Sequence, residues 1–297
     1  MQKVTVAEEY KKNKELTKED IRRVEEWLEK QPHLPKMEEL EIILFLHSCS
    51  YSVEFTKTTI DTYFTMKTHA PEFFTNRSPD LPSVKQLLNV GLYVTLPKPT
   101  PEGYRVLFAK LMDSDPDNYI FSDACKGFDM STMLHLIQEG TDNGQIILFD
   151  MKGLTFGHVT KLGIVTMKKM LYYLQDALPV RLKGLHFINV VPFMDKIMAL
   201  MRPFMRKELL SVFHLHTNGM ESLYNFVPQE CLPKDYGGTA ASLTELHEQV
   251  KKNINENANY FVEDEKRNAD ESRRPGRPKV SGEIFGVDGT FRKLELD

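Results

Sequence analysis

Few side chains in this sequence are spaced for chemistry. His214 and His216 lie two apart, which in a strand puts both on one face. As metal ligands they lack a Glu or Cys beside them, and zinc signatures show more ligands locally, so structural histidines are the better reading. Asp150 and Asp195 would serve as an acid–base pair only if something brought them together. An aspartate at a strand end is more often a cap or turn residue. Arg273–Lys279 (Arg-Arg-Pro-Gly-Arg-Pro-Lys) resembles a minor-groove hook, but Pro275 stands where an arginine is needed. It reads as a solvated basic linker, and nucleic acid is not expected as a partner. The sequence has no Gly-x-Gly-x-x-Gly, no Gly-x-x-x-x-Gly-Lys and no Gly-x-Ser-x-Gly. No catalytic residue, metal or cofactor is implied.

The informative stretch runs from Val190 to Val212. On a helical wheel, Phe193, Met194, Ile197, Met198, Leu200, Met201, Phe204 and Met205 share an arc of roughly 160°. Methionine makes up half of that arc and suits a surface meeting varied or mobile partners. Lys196, Arg202, Arg206 and Lys207 lie on the polar side with Asp195. An apolar face backed by positive charge suits a helix at an anionic membrane surface, although an amphipathic helix lying on a sheet is the commoner case. Pro203 must kink or split the helix. Arg181 and Lys183, just upstream, would extend the same positive surface.

These residues need elements to hold them. Thr17 and Asp20 have capping-box spacing, and Ile21, Val24 and Leu28 then recur at helical intervals. Further helices are expected over Met37–His47 and Val53–Lys67, with Pro71 closing the block. From Tyr104 the pattern changes. Tyr104–Met112, Gln145–Met151 and Leu185–Val190 read as apolar strands, separated by helices over about 118–139 and 158–177. Alternation of this kind predicts an α/β domain with a largely parallel sheet. Residues 263–279 read as an extended charged linker, and the apolar stretch Ile284–Phe291 as folding back onto the body.

Composition agrees with a soluble globular chain. Of 297 residues, 41% are hydrophobic, with 38 Lys plus Arg against 42 Asp plus Glu. A net charge of −4 argues against wholesale polyanion binding. Cys49, Cys125 and Cys231 are too scattered for a disulfide framework, as expected of a reducing compartment. The N-terminus is too charged for a signal-peptide core, and the apolar run Ile42–Leu46 is too short to span a bilayer, which needs ~20 residues. A cytoplasmic location with transient membrane contact is expected.

Four motifs in order carry a family resemblance. They are Gln145–Gly153 (QIILFDMKG), Lys183–Asn189 (KGLHFIN), Arg202-Pro203-Phe204 and Leu232–Gly238 (LPKDYGG). Across about Lys18 to Thr239 the sequence resembles the CRAL-TRIO lipid-binding family. The resemblance implies an N-terminal helical lobe (1–75), a CRAL-TRIO lobe with a mostly parallel sheet and a mobile amphipathic lid helix (76–250), and a C-terminal extension packing back on the body (251–297). It implies a monomeric, non-enzymatic carrier of a tocopherol-like or retinoid-like molecule that exchanges its cargo at membranes. The alternatives are a phospholipid or phosphoinositide transfer protein and a pocketless interaction scaffold. Ser131, Phe149, Leu162, Met170, Tyr173, Leu178, Val180 and Leu185 fall at the family's pocket positions, with Phe193, Ile197, Leu200 and Met201 on the lid. The family's tocopherol and retinaldehyde members bind phosphoinositide phosphates in a basic cleft outside the lid. Arg181 and Lys183 match two of its positions, and Glu208 and Val212 stand at two others. Arg202, Arg206 and Lys207 are the nearby cations implied in membrane binding, so phosphatidylinositol bisphosphate is an expected contact.

Overall fold

The computed structural model describes residues 2–280, 282 and 285. The chain opens with six helices: α1 (Val6–Lys12), α2 (Lys18–Leu28), α3 (Glu39–Ser48), α4 (Val53–His69), α5 (Pro71–Phe74) and α6 (Pro82–Val90). Thr17 caps α2, its hydroxyl accepting the Asp20 amide at 3.1 Å. Ile21 and Val24 form the buried stripe that the spacing predicts. The run Ile42–Leu46 is buried on every side of α3 because α2, α4 and a later helix all pack on it.

A five-stranded sheet follows. Its strands are β1 (Gly91–Thr95), β2 (Tyr104–Leu111), β3 (Gly144–Asp150), β4 (Leu182–Ile188) and β5 (Phe213–Leu215), and their spatial order equals their order in the chain. β1 is antiparallel to β2, and the other pairings are parallel. The crossovers are α7 (Phe121–Glu139), then α8 (Phe156–Thr160) with α9 (Ile164–Tyr172), then α10 (Met194–Met201) with α11 (Lys207–Ser211). A strand order that never reverses, with crossovers of one hand, keeps these helices on a single face. The core shows it. Leu107, Ala109, Ile147, Leu185 and Phe187 face the crossover helices. Val106, Phe108, Ile146 and Leu148 point the other way, onto Leu223 of α12 (Glu221–Tyr224) and Leu243 and Leu246 of α13 (Leu243–Glu256). A further helix, α14 (Ala258–Asp264), returns to the N-terminal helices.

Several elements differ from the sequence-based expectation. β1 and β5 went unread, being five and three residues long. The helix expected over 158–177 is three pieces: Gly163 is extended ahead of α9, and residues 173–177 form a wider π-turn. The linker at 263–279 is not solvated throughout. Arg274 is half-buried and pairs with Asp61 at 2.7 Å and Glu271 at 2.6 Å, while Lys279 reaches Asp61 at 2.6 Å. Of the stretch Ile284–Phe291 only Phe285 lies among the described residues, and its buried ring meets Tyr172 edge-on at 5.5 Å.

Candidate functional site

Between the sheet and its crossover helices lies a cavity of about 190 Å³. Strand alternation aims Ala109, Phe149, Leu185 and Phe187 into it from three adjacent strands, with Phe149 stacked on Phe187 at 5.2 Å. Cys125 and Phe128 of α7 close one side. Met167, Met170 and Leu171 of α9 and Ile197 and Met201 of α10 close the top. Met151 also borders it, so four methionines line the wall.

One end is polar and lies at the carboxyl ends of β2 and β3, where parallel sheets commonly place ligands. Lys110, Asp150, Tyr119 and His158 border that end. Lys110 pairs with Asp150 at 2.5 Å. Asp150 also accepts hydrogen bonds from the Tyr236 hydroxyl, from Asn189 Nδ2 at 2.7 Å and from the Lys152 amide at 2.9 Å. Burial alone would raise this carboxyl, but Lys110 and the three other donors outweigh it and hold the pKa below the ordinary value. Asn189 supplies its amide from a left-handed backbone (φ 49°), which asparagine tolerates better than most residues. Asp150 is therefore a saturated structural hub, and Asp195 is exposed and paired with Lys196.

Of the twelve expected ligand-binding positions, Phe149, Leu162, Met170, Leu185, Ile197 and Met201 border this cavity. Leu200 is half-buried beside it, and Phe193 meets the exposed Phe156 edge-on at 5.8 Å. The other four lie elsewhere. Ser131 faces a separate pocket shared with Val250 and Ile254 of α13. Tyr173 does not border the cavity, and its hydroxyl donates to the buried Asp129. Leu178 and Val180 border a second cleft of about 430 Å³. Sequence reasoning missed Ala109 and Phe187, although each sits two residues from another inward position and period-two counting would have found them. It also missed His158, which borders the cavity from the first turn of the short α8, where no spacing marks it.

The second cleft holds Arg181, Lys183 and Arg206 together with Asp176 and Glu208. Arg202 and Lys207 do not border it and are exposed nearby. Each of the three cations in the cleft already has a partner, Lys183 lying over the Tyr104 ring at 5.8 Å. Arg181 Nε donates to the His47 carbonyl at 2.6 Å and lies over the Tyr51 ring, and Arg206 pairs with Asp176. Leu174 borders both the cleft and the apolar cavity. Among the described residues no group of three or more His, Cys, Asp or Glu is placed to hold a metal ion, and no helix is long and apolar enough to cross a membrane.

An apolar cavity walled by a sheet and the helices of its own crossovers, with a few polar groups at one end, is a site for a small apolar molecule. The chain belongs to the CRAL/TRIO family: the CRAL/TRIO domain matches residues 89–238, and a Pinta-like UBA domain matches residues 13–84. An alpha-tocopherol transfer protein-like protein of Mus musculus is 29% identical over 240 residues, covering 80% of this chain and 69% of that protein. Clavesin-1 of Xenopus laevis is 24% identical over 234 residues, covering 78% and 70%. The crystal structure of Sfh5 aligns over 78% of this chain and 92% of its own, with a TM-score of 0.46 and 14% identity.

Proposed function

We propose that this protein is a non-enzymatic carrier that takes a hydrophobic small molecule, tocopherol-like or retinoid-like, into the sheet-floored cavity and exchanges it at membranes. The carrying observation is the cavity wall: apolar almost throughout, and closed on one side by Ile197 and Met201 of the amphipathic α10. Sites for drug-sized ligands run from about 300 Å³ upward. A cavity of about 190 Å³ must therefore widen to seat a whole lipid. Met151, Met167, Met170 and Met201 can change rotamers at low cost, and α10 can move outward.

The surface beside α10 supports the membrane step. Phe156, Ile164 and Val165 on α8 and α9 are 55%, 46% and 43% exposed. Apolar side chains grouped at the edge of a cavity mark an interaction surface. The cleft of Arg181, Lys183 and Arg206 supplies local positive charge for an anionic bilayer. Because Arg181 and Arg206 already have partners, the cleft favours general anionic attraction over a dedicated phosphoinositide site.

The test is organic extraction of the purified full-length chain followed by mass spectrometry, together with uptake from vesicles. The expected result is one class of neutral hydrophobic compound retained near one per chain. A chain that retains none and takes up none from vesicles containing tocopherol or retinol would leave the pocketless scaffold as the reading.

A further inference from the structure

His158 is buried to 1% exposure, and its ring borders the polar end of the cavity. Its two nitrogens have different fates. The Thr155 backbone amide, which can only donate, meets Nδ1 at 3.0 Å, and the Thr155 hydroxyl meets the same nitrogen at 3.0 Å. Nδ1 must therefore accept, which puts the proton of the neutral ring on Nε2. Nε2 has no hydrogen-bond partner among the described residues. A buried donor without an acceptor is costly and uncommon.

The polar groups around it share one property. Asp150 has its oxygens occupied by Lys110, Tyr236, Asn189 and the Lys152 amide. Lys110 borders the cavity with its charge matched by Asp150. What this end offers a guest is donors, without an uncompensated charge.

We infer that His158 Nε2–H donates a hydrogen bond to an oxygen of the bound molecule, so that His158 selects apolar ligands carrying a neutral acceptor (carbonyl, ester, ether or hydroxyl) at that end. This deepens the carrier reading and rests on it. A pure hydrocarbon fills the same apolar wall but leaves the donor unpaired. A guest with an oxygen there satisfies it, and sites built this way reject the analogue lacking the group more strongly than they sense a methylene.

The experiment uses a matched pair, radiolabelled 2-hexadecanone and hexadecane, partitioned between cyclodextrin and the full-length protein. His158→Asn keeps an acceptor near the Nδ1 position for Thr155 and removes the Nε2 donor. The expected result is a loss of about tenfold in ketone association, the size of one hydrogen bond to a buried donor. Hexadecane association should stay unchanged, which also reports an intact cavity in the variant. In the wild type, the His158 Nε2 proton resonance should move downfield with the ketone and not with the alkane. Equal ketone binding by wild type and variant overturns the inference and leaves the carrier reading standing. So does an Nε2 proton that ignores the ketone, as it would if it pointed at the Tyr119 ring, whose centroid lies 5.2 Å from that of His158. Failure of both compounds to bind wild type overturns the carrier reading and this inference together.

Discussion

Tyr173 and Leu185 show how far single residues can be read from a sequence. The family resemblance implies that both are pocket positions. Leu185 borders the cavity from β4, whereas Tyr173 is buried with its hydroxyl on Asp129. Burial and the Asp129 carboxylate push this phenol far above its ordinary pKa, so it stays a neutral donor. Apolar type at a strand position is legible because alternation fixes the face. The partner of a tyrosine hydroxyl depends on a second helix and is not. The two residues should therefore separate in experiment. Leu185→Trp should reduce ligand uptake while the melting temperature changes little, since the new ring enters cavity space instead of a packed core. Tyr173→Phe should keep uptake normal and cost about 1–3 kcal/mol, because Asp129 loses a donor in a buried setting. Uptake assays and urea unfolding on both variants check this. Reduced uptake in Tyr173→Phe with unchanged stability would return that hydroxyl to the ligand.

At the scale of elements, the wheel over 193–207 is legible in the sequence, and Pro203 marks where it divides. The helix ends at Met201, a short 3-10 turn holds Arg202–Phe204, and α11 starts at Lys207. Met194, Ile197 and Met201 are buried on its inner side. Swinging α10 outward in water would expose them, at about 1.5–3 kcal/mol for each large apolar side chain. A bilayer offsets that cost by accepting the same face. Ligand release should therefore be slow in buffer and accelerate with vesicles. Ile197→Asp should reduce that acceleration more than it reduces folding stability. Release rates that are equal with and without vesicles in the wild type would make α10 a fixed wall.

The short β5 escapes sequence reading, yet His214 within it and His216 just after it do share a face. His214 stacks on His186 at 4.6 Å, and His216 Nε2 meets His186 Nδ1 at 2.9 Å. Burial, then the neighbouring His214 and His216, lower the His186 pKa to about 3. The unfolded chain titrates this group near 6.5 and so binds more protons than the folded chain between pH 6.5 and 3. Stability should fall as pH drops through that window. His186→Asn keeps an acceptor or donor toward His216 and removes the titration. The variant should melt lower at pH 7 but show a shallower decline toward pH 5. Parallel declines in melting temperature would assign the acid sensitivity to other groups, such as the buried His47, whose pKa is likewise lowered to about 3 by burial and Arg181.

The whole molecule is joined by a charge cluster that no local pattern announces. Arg77, fully buried in the loop after α5, reaches Asp129 of α7 and pairs with Asp264 of α14 at 2.7 Å. Lys67 of α4 meets Asp264 at 2.8 Å, and Tyr173 completes the shell of Asp129. The N-terminal helices, the crossover layer and the C-terminal return thus converge on two cations and two carboxylates. In sequence Asp129 is one acid within an apolar helix, and its partners lie 52 and 44 residues away, so periodicity has no means to pair them. A buried ion pair adds little stability over a well-packed apolar pair, but removing one member strands the other. Arg77→Met should then cost about 3–5 kcal/mol in urea unfolding. Adding Asp129→Leu should restore a large part of that loss, because the stranded carboxylate is gone and Lys67 still neutralises Asp264. The Tyr173 hydroxyl would then have lost its acceptor, and Tyr173→Phe in the same background should be nearly silent. If Arg77→Met and Asp129→Leu instead add as independent losses, the cluster does not act as a unit. The lobes would then be held by the apolar contacts of Phe73, Phe74 and Phe261 around it.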